Sequence, residues 1–231
     1  MEKSIIKRSN RRFVFSAVFF VLFFVLIALV KTFDVAAIGP EGTSIGFSHL
    51  NGAVHEFFGL NNVWYAITQA TGIVAICLVL EYAILGLIQL ISRKSFAKVD
   101  RYIYCLGGLF AVVFVLYALF EKVVINYRPI IEEGAEHVEA SFPSSHTMLV
   151  CTVLGSVILI LDKYGNIGIK NQSKKTVTFL KAFLFVLILL TVIGRLVCGV
   201  HWLTDILGGV LISLALLFLF SAVLDRVDDK K

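Results

Sequence analysis

The sequence predicts an all-α integral-membrane protein, a bundle of six transmembrane helices with both termini in the cytoplasm. Of its 231 residues, 58% are hydrophobic and only 16% are charged, whereas a soluble domain carries about 25% charged residues. The mean hydropathy is +0.90. Six apolar runs approach or exceed the ~20 residues that a spanning helix needs. We expect residues 1–231 to form a single membrane domain.

The six predicted helices cover approximately residues 13–30, 63–91, 102–121, 145–161, 177–197 and 202–224. The first run follows a basic segment, as a signal sequence would, but it is longer than the ~7–15 apolar residues of a signal peptide. We therefore interpret it as a retained helix. Residues 31–62 are moderately apolar and contain Gly39-Pro40, so we expect a lid or an interfacial helix there.

Positive charge predicts the orientation of these helices, because cytoplasmic loops of membrane proteins are enriched in Lys and Arg. Basic residues are concentrated at the N-terminus (Lys3, Lys7, Arg8, Arg11, Arg12), between the second and third runs (Arg93, Lys94, Lys98, Arg101), between the fourth and fifth (Lys163, Lys170, Lys174, Lys175) and at the C-terminus (Arg226, Lys230, Lys231). All four segments are therefore expected to be cytoplasmic. The net charge of +5 then reflects orientation, and no nucleic-acid partner is expected.

The four cysteines, Cys77, Cys105, Cys151 and Cys198, are scattered along the chain without a CxxC pair. We interpret them as small packing residues, because neither a disulfide framework nor a zinc site is indicated by that spacing.

Three polar clusters interrupt the apolar chain. They are Lys122 with Arg128-Pro129, then Pro143-Ser144-Ser145-His146, and finally Arg195, His201 and Asp205. Polar groups of this kind are costly near a bilayer and usually mark function. The predicted topology places all three clusters at the outer membrane face, so we expect them to form one site.

The clusters contain the groups that would bind a phosphate ester. Guanidinium groups such as those of Arg128 and Arg195 bind oxyanions bidentately, although a single interfacial arginine could equally reach toward lipid headgroups. Ser144 and Ser145 follow a proline at the start of an apolar helix, where free N–H groups and the helix dipole favour anions. An ordinary helix N-cap is the alternative interpretation of the serines.

The two histidines suggest catalysis. His201 and Asp205 are four residues apart, which on a helix places them on one face. The carboxylate would then accept the imidazole N–H, leaving the other nitrogen free to attack phosphorus. His146 is placed to donate a proton to a leaving oxygen. A His/Asp cap pair is the alternative, and a metal site is disfavoured because the nearby cations would repel a divalent ion.

On these motifs, the chain resembles the type 2 phosphatidic acid phosphatase superfamily, whose three signatures are Lys-x6-Arg-Pro, Pro-Ser-Gly-His and Ser-Arg-x5-His-x3-Asp. The resemblance spans the third to sixth helices, with a catalytic core over 102–224. Three positions depart from the pattern. Ser145 replaces a glycine, Gly194 replaces a serine, and Lys122 is one residue too close to Arg128, with Glu121 at the family position.

The resemblance implies roles for the site residues. His201 would be the nucleophile that forms a phosphohistidine, Asp205 would orient it, and His146 would protonate the leaving group and later activate water. The phosphoryl oxygens would be held by Arg128, Arg195, Lys122, Ser144 and Ser145. No metal and no other cofactor is expected.

The sequence thus predicts a multi-pass enzyme of the cell membrane with an extracytoplasmic active site, which hydrolyses a phosphate monoester or diphosphate of a lipid. Undecaprenyl diphosphate, phosphatidate and phosphatidylglycerophosphate remain open as substrates, and membrane lipids are the expected surroundings. A lipid-linked phosphotransferase and a non-catalytic lipid-phosphate binder or transporter are the alternatives. The acidic run of residues 132–139 is interpreted as a solvated loop, with control of access as the other possibility.

Overall fold

The computed structural model describes residues 2–165 and 173–229 and consists, over those ranges, of helices joined by loops. The helices are α1 Glu2–Thr32, α2 Ser48–Phe58, α3 Asn62–Arg93, α4 Arg101–Lys122, α5 Ser145–Tyr164, α6 Lys174–Val197 and α7 Leu203–Asp229, with short 3-10 turns at Pro40–Gly42 and Phe96–Lys98. All of them except α2 are long and apolar enough to cross a membrane. The prediction of an all-α bundle with six spans is confirmed.

The observed helices differ from the predicted ranges mainly at their ends. The first begins at Glu2 instead of residue 13, because the basic segment before the apolar run continues the same helix. The second begins after Asn61, whose side chain accepts hydrogen bonds from the N–H groups of Val63 and Trp64, both at 3.1 Å. Within residues 31–62 the structure has the helix α2, and its role as a lid or an interfacial helix stays a prediction.

Helices α5 and α7 form the centre of the bundle. Each is more than half buried, whereas the other four spans are mostly exposed to the surroundings. Small residues allow close contact between the central helices, as is usual where lipid supplies no hydrophobic drive for association. A Cβ at Gly209 would lie 2.9 Å from the Cβ of Thr147, and one at Gly208 would lie 2.5 Å from the ring of Phe142.

The ends of the helices divide the bundle into two polar regions. The end of α4, the start of α5, the end of α6 and the start of α7 meet at one side. The start of α1 and the end of α7 meet at the other, so both termini lie on the side opposite the polar clusters. That this side is cytoplasmic stays a prediction from charge, and Lys170, Lys230 and Lys231 lie outside the described residues.

A buried carboxylate joins the helices at the terminal side. Asp225 of α7 is 1% exposed and accepts hydrogen bonds from Arg8 at 2.9 and 3.0 Å, from Arg12, and from Lys163 at 3.2 Å. The three cations come from α1 and α5. Asp225 therefore connects α1, α5 and α7 and holds the basic N-terminal segment against the end of α7.

We expect Asp225→Ala to destabilise the bundle, because it leaves three cations facing a buried position without their counter-charge. Since the side chain of Arg8 remains 48% exposed and can turn toward water, the loss should be about 1–3 kcal/mol, below the full effect of breaking a buried pair. Thermal unfolding in detergent measures it. Asp162→Ala is the matched control, because Asp162 is 67% exposed in its pair with Lys181 and should change the melting temperature little. Equal melting temperatures for the two variants would contradict this account.

Candidate active site

The loop between α4 and α5 folds back on itself and docks against the first turn of α7. The N–H of Arg128 donates to the carbonyl of Glu139 at 3.0 Å, and the N–H of Ser141 donates to the carbonyl of Asn126 at 2.9 Å. The N–H of Ser144 then donates to the carbonyl of Asp205 at 2.9 Å. These bonds bring the three clusters, which are distant in sequence, to one end of the bundle.

His201 lies in the turn between α6 and α7 and is 3% exposed. Its Nδ1 is 3.0 Å from the hydroxyl of Ser141. Its Nε2 is also buried, and within the described ranges that atom has no hydrogen-bond partner. The turn is tight because Gly199 has a φ of 73°, and a Cβ there would lie 2.0 Å from the carbonyl oxygen of Gly59. Nδ1 of the imidazole is thus held by a hydrogen bond with Ser141, whereas Nε2 has no partner among the described residues.

Asp205 is fully buried, and its carboxylate accepts three hydrogen bonds. They come from the hydroxyl of Ser141, from the N–H of Trp202 at 3.0 Å and from the amide of Asn126 at 3.3 Å. The direct hydrogen bond expected between His201 and Asp205 is not observed, since Nδ1 and Oδ2 are 3.8 Å apart. The reason is that α7 begins at Leu203, so His201 lies before the helix and the four-residue spacing is not a helical one.

The surroundings of His201 favour its neutral form. Burial lowers the pKa of His201 well below 6.5, and the positive charges of Arg195 and Arg128 lower that pKa further. Arg128 lines the same cleft as the imidazole. A neutral imidazole with an unpartnered nitrogen has the electron pair that a nucleophile requires.

Arg195 is a buried cation without a counter-charge among the described residues. Its side chain is 1% exposed, one N–H donates to the hydroxyl of Thr68 at 3.4 Å, and the guanidinium lies 5.7 Å from the ring centroid of Tyr65. Its Nε has no partner, and no carboxylate of the described residues lies within 4.0 Å. Because burying an unpaired charge is costly, this position is suited to an anionic ligand.

Gly194, which replaces the serine of the family signature, has a packing explanation. A Cβ at this residue would lie 2.6 Å from the methyl of Thr68 and 3.0 Å from the ring of Trp64. The absence of a side chain therefore lets α6 approach α3 and positions Arg195 against Thr68.

Arg128 lies beside His201 but has acidic partners. It is 8% exposed, and one N–H points to the carbonyl of Val200 at 3.5 Å. The guanidinium also pairs with Glu132 at 2.9 Å and approaches Glu139 at 3.4 Å. The interpretation of residues 132–139 as only a solvated loop is therefore wrong, because two of its carboxylates contact the arginine at the site.

His146 is the second residue of α5 and faces α3. Its Nε2 forms a short hydrogen bond with the side-chain oxygen of Gln69, and Gln69 in turn donates to the hydroxyl of Tyr65 at 3.0 Å. A Cβ at Gly72 would lie 3.1 Å from the imidazole, so the glycine gives the ring room against α3. The orientation of the His146 ring is thus set by Gln69 and Gly72 of α3, a helix that contains none of the three signature motifs.

The remaining predicted ligands are placed unequally. Ser145 lines the cleft beside His201, whereas Ser144 is fully buried and caps α5, its hydroxyl accepting hydrogen bonds from the N–H and the hydroxyl of Thr147. Lys122 is exposed and does not line that cleft, but Glu121 does. Adjacent residues on a helix point about 100° apart, so the one-residue displacement turns the lysine away and the glutamate inward.

A cavity extends from these residues into the bundle. A cleft of about 20 Å³ adjoins His201, Arg128 and Ser145, and a cavity of about 640 Å³ continues along α3, α4 and α5. The polar end of this cavity carries Arg128 and His146, and the remainder is lined by apolar side chains that include Ile76, Val79, Leu80, Phe110, Val113 and Phe114. This shape fits a molecule with a polar head and a long apolar tail.

The sequence interpretation missed several residues that shape the site. They are Ser141, Asn126, Gln69 and Thr68, together with the contacts of Glu132 and Glu139. Ser141 and Asn126 stand two residues before Pro143 and Arg128, so polar residues flanking a motif were the available signal. Over the two described ranges, no group of three or more His, Cys, Asp or Glu residues is arranged to hold a metal ion.

Comparison with known proteins gives an independent view of this site. Residues 102–228 match the model of the PAP2 superfamily. Phosphatidylglycerophosphatase B of Bacillus subtilis (strain 168) is 30% identical over 113 residues, which cover 49% of this chain and 51% of that protein. The matched region thus spans about half the length of this curated relative.

A solved structure shows the same fold over nearly the whole chain. The crystal structure of a transmembrane PAP2-type phosphatidylglycerolphosphate phosphatase from Bacillus subtilis superposes with a TM-score of 0.61 at 19% identity, covering 94% of this chain and 96% of that one. The family match spans more than half of the sequence and contains all three polar clusters. The chain belongs to the PAP2 superfamily.

Proposed function

We propose that this protein is a membrane lipid phosphatase that hydrolyses a phosphate monoester or diphosphate of a lipid through a phosphohistidine at His201. The observation that carries the proposal is the buried guanidinium of Arg195, which lacks a carboxylate partner among the described residues, together with the buried Nε2 of His201, which has no hydrogen-bond partner among them. A phosphoryl group would supply the missing negative charge and the electrophile together.

The proposed reaction has two steps. In the first, the lone pair of His201 Nε2 forms a bond to phosphorus while the bond to the leaving oxygen breaks, and His146 gives that oxygen a proton. In the second, water attacks the phosphohistidine, His146 takes a proton from the water, and the P–N bond breaks. Arg128, Arg195 and Ser145 would stabilise the charge that develops on the phosphoryl oxygens. No metal takes part in this scheme.

The substrate class follows from the long cavity and from the relatives. An apolar cavity that leaves the site between α3, α4 and α5 would accept a lipid chain while the phosphate stays at the bundle end. The name of the curated relative favours phosphatidylglycerophosphate, and undecaprenyl diphosphate and phosphatidate belong to the same chemical class. The basic segments favour a site at the extracytoplasmic face of the cell membrane.

The direct test is phosphate release by purified protein in detergent with EDTA present. Phosphatidylglycerophosphate, undecaprenyl diphosphate and phosphatidate are offered in parallel to wild type and to His201→Ala. We expect wild type to release phosphate from at least one lipid, and the variant to lose the activity on the order of 10³-fold or more, because the nucleophile is removed.

His49→Ala is the matched control, because His49 is an exposed histidine that pairs with Asp34 and lines neither the cleft nor the long cavity. It should keep the wild-type rate. If folded wild type releases phosphate from no lipid, or if His201→Ala keeps its rate, the proposal is wrong. Release that depends on an added alcohol acceptor would instead indicate a phosphotransferase.

The lowered pKa of His201 predicts the acid side of the pH profile. A lowered pKa means that the imidazole loses its proton at lower pH, so the neutral nucleophile persists below pH 6.5. The decline of kcat/KM with acid, which reports the free enzyme, should therefore occur below pH 6.5. The second ionisation of the substrate, near pH 6, is measured separately and divided out. An enzyme-derived decline at or above pH 6.5 would contradict the neutral, buried nucleophile.

The ion pairs of Arg128 predict that its acidic partners compete with substrate. Because Glu132 occupies the guanidinium at 2.9 Å, a phosphate must displace it. Glu132→Gln should therefore lower KM several-fold at low ionic strength, with a smaller effect at high salt. Glu136→Gln, an exposed position in the same loop, is the control and should leave KM unchanged. A raised KM in Glu132→Gln would show that this carboxylate helps to bind substrate.

A further inference from the structure

The hydroxyl of Ser141 lies between the side chains of His201 and Asp205, which were predicted from the sequence to contact each other directly. It is 3.0 Å from Nδ1 of His201 and hydrogen-bonded to Oδ2 of Asp205, which are themselves 3.8 Å apart. All three side chains are buried. The connection from the nucleophile to the carboxylate therefore passes through a serine.

The chemistry of the three groups gives each hydrogen bond a direction. An ionised carboxylate only accepts, and a hydroxyl has one proton to donate. Ser141 therefore donates to Asp205 and accepts the N–H at Nδ1 of His201. This arrangement selects the neutral tautomer whose Nε2 carries the free electron pair. Nε2 is the buried atom that has no hydrogen-bond partner in the part of the chain that the structure describes.

We propose that Ser141 is a positioning residue that couples His201 to Asp205, a role that rests on the phosphatase function proposed above. Before reaction it fixes the ring and its tautomer. When Nε2 bonds to phosphorus the ring becomes positively charged, and the strengthened hydrogen bond from Nδ1 is stabilised through the hydroxyl by the carboxylate. Asp205 acts on the nucleophile through Ser141.

The backbone holds Ser141 at this position from both sides. Its N–H donates to the carbonyl of Asn126 at 2.9 Å, and the next residue, Phe142, packs against Phe23 with ring centroids 5.7 Å apart. Two residues further along, Ser144 bonds to the backbone of Asp205. The loop thus holds the hydroxyl of Ser141 between the side chains of His201 and Asp205.

The alternative is that Ser141 only satisfies a buried carboxylate. Asp205 already accepts bonds from Trp202 and Asn126, so removing the serine would leave the acid partly satisfied and the fold intact. In that case Ser141→Ala would lower stability and leave the chemical step alone. A coupling role requires a loss of kcat that disappears when Asp205 is neutralised.

A double-mutant cycle separates the two roles. Ser141→Ala, Asp205→Asn and the double variant are compared with wild type under saturating lipid, with melting temperatures measured in parallel. We expect Ser141→Ala to lower kcat ~10- to 100-fold with KM nearly unchanged, and to change kcat less than ~3-fold in the Asp205→Asn background. Ser156→Ala, a buried serine that bonds within α5, is the matched control and should keep the wild-type kcat.

Two results would overturn the coupling role: a wild-type kcat in Ser141→Ala, or the same loss in both backgrounds. If Ser141→Ala does not fold, Ser141→Cys, which nearly preserves the volume but bonds weakly, replaces it in the cycle. Wild type and His201→Ala run beside these variants. Their activities decide the phosphatase function, so that a failure of the function and a failure of the Ser141 role give different results.

Discussion

The site depends on the hydrogen bonds that Asp205, in the first turn of α7, accepts from separate segments of the chain. Its backbone carbonyl accepts a hydrogen bond from the N–H of Ser144, at the start of α5. Its carboxylate accepts hydrogen bonds from Ser141 and Asn126 of the α4–α5 loop and from the N–H of Trp202 in the preceding turn. A fully buried carboxylate is costly unless its oxygens are bonded. The α4–α5 loop that donates hydrogen bonds to this carboxylate also contains Arg128. The packing of this loop against α7 therefore positions Arg128 at the site.

The two arginines of the site have different electrostatic surroundings. Arg195 lies between α3 and α6, where it contacts the hydroxyl of Thr68 and the ring of Tyr65. Arg128 forms ion pairs with Glu132 and Glu139. A phosphate would meet Arg195 without displacing a carboxylate of the described residues, whereas at Arg128 it would have to displace Glu132 or Glu139.

The sequence predicted the six spans because a run of about 20 apolar residues leaves few alternatives in a bilayer. It also predicted the meeting of His146, Arg195, His201 and Asp205, since an even alternation of spans brings their helix ends to one side. The sequence could not predict Ser141, because the interposed hydroxyl depends on where the α4–α5 loop folds back. The predicted direct contact between His201 and Asp205 was wrong because His201 lies before α7, where helical spacing does not apply. Lys122 was predicted to bind phosphate because it is close to the motif in sequence, but a rotation of about 100° relative to the preceding residue turns its side chain outward.

The two buried aspartates of α7, Asp205 at the site and Asp225 at the terminal side, are twenty residues apart on one helix. At 1.5 Å per residue this separation is about 30 Å, which is the thickness of the hydrocarbon core of a typical bilayer. Each carboxylate carries a network of charged or polar partners, so neither end of α7 can slide into the apolar layer without cost. The depth of the protein is thereby fixed at two levels. A host membrane much thinner or thicker than this span would strain the surroundings of His201 through hydrophobic mismatch, which makes membrane thickness a physical variable for the geometry of the site.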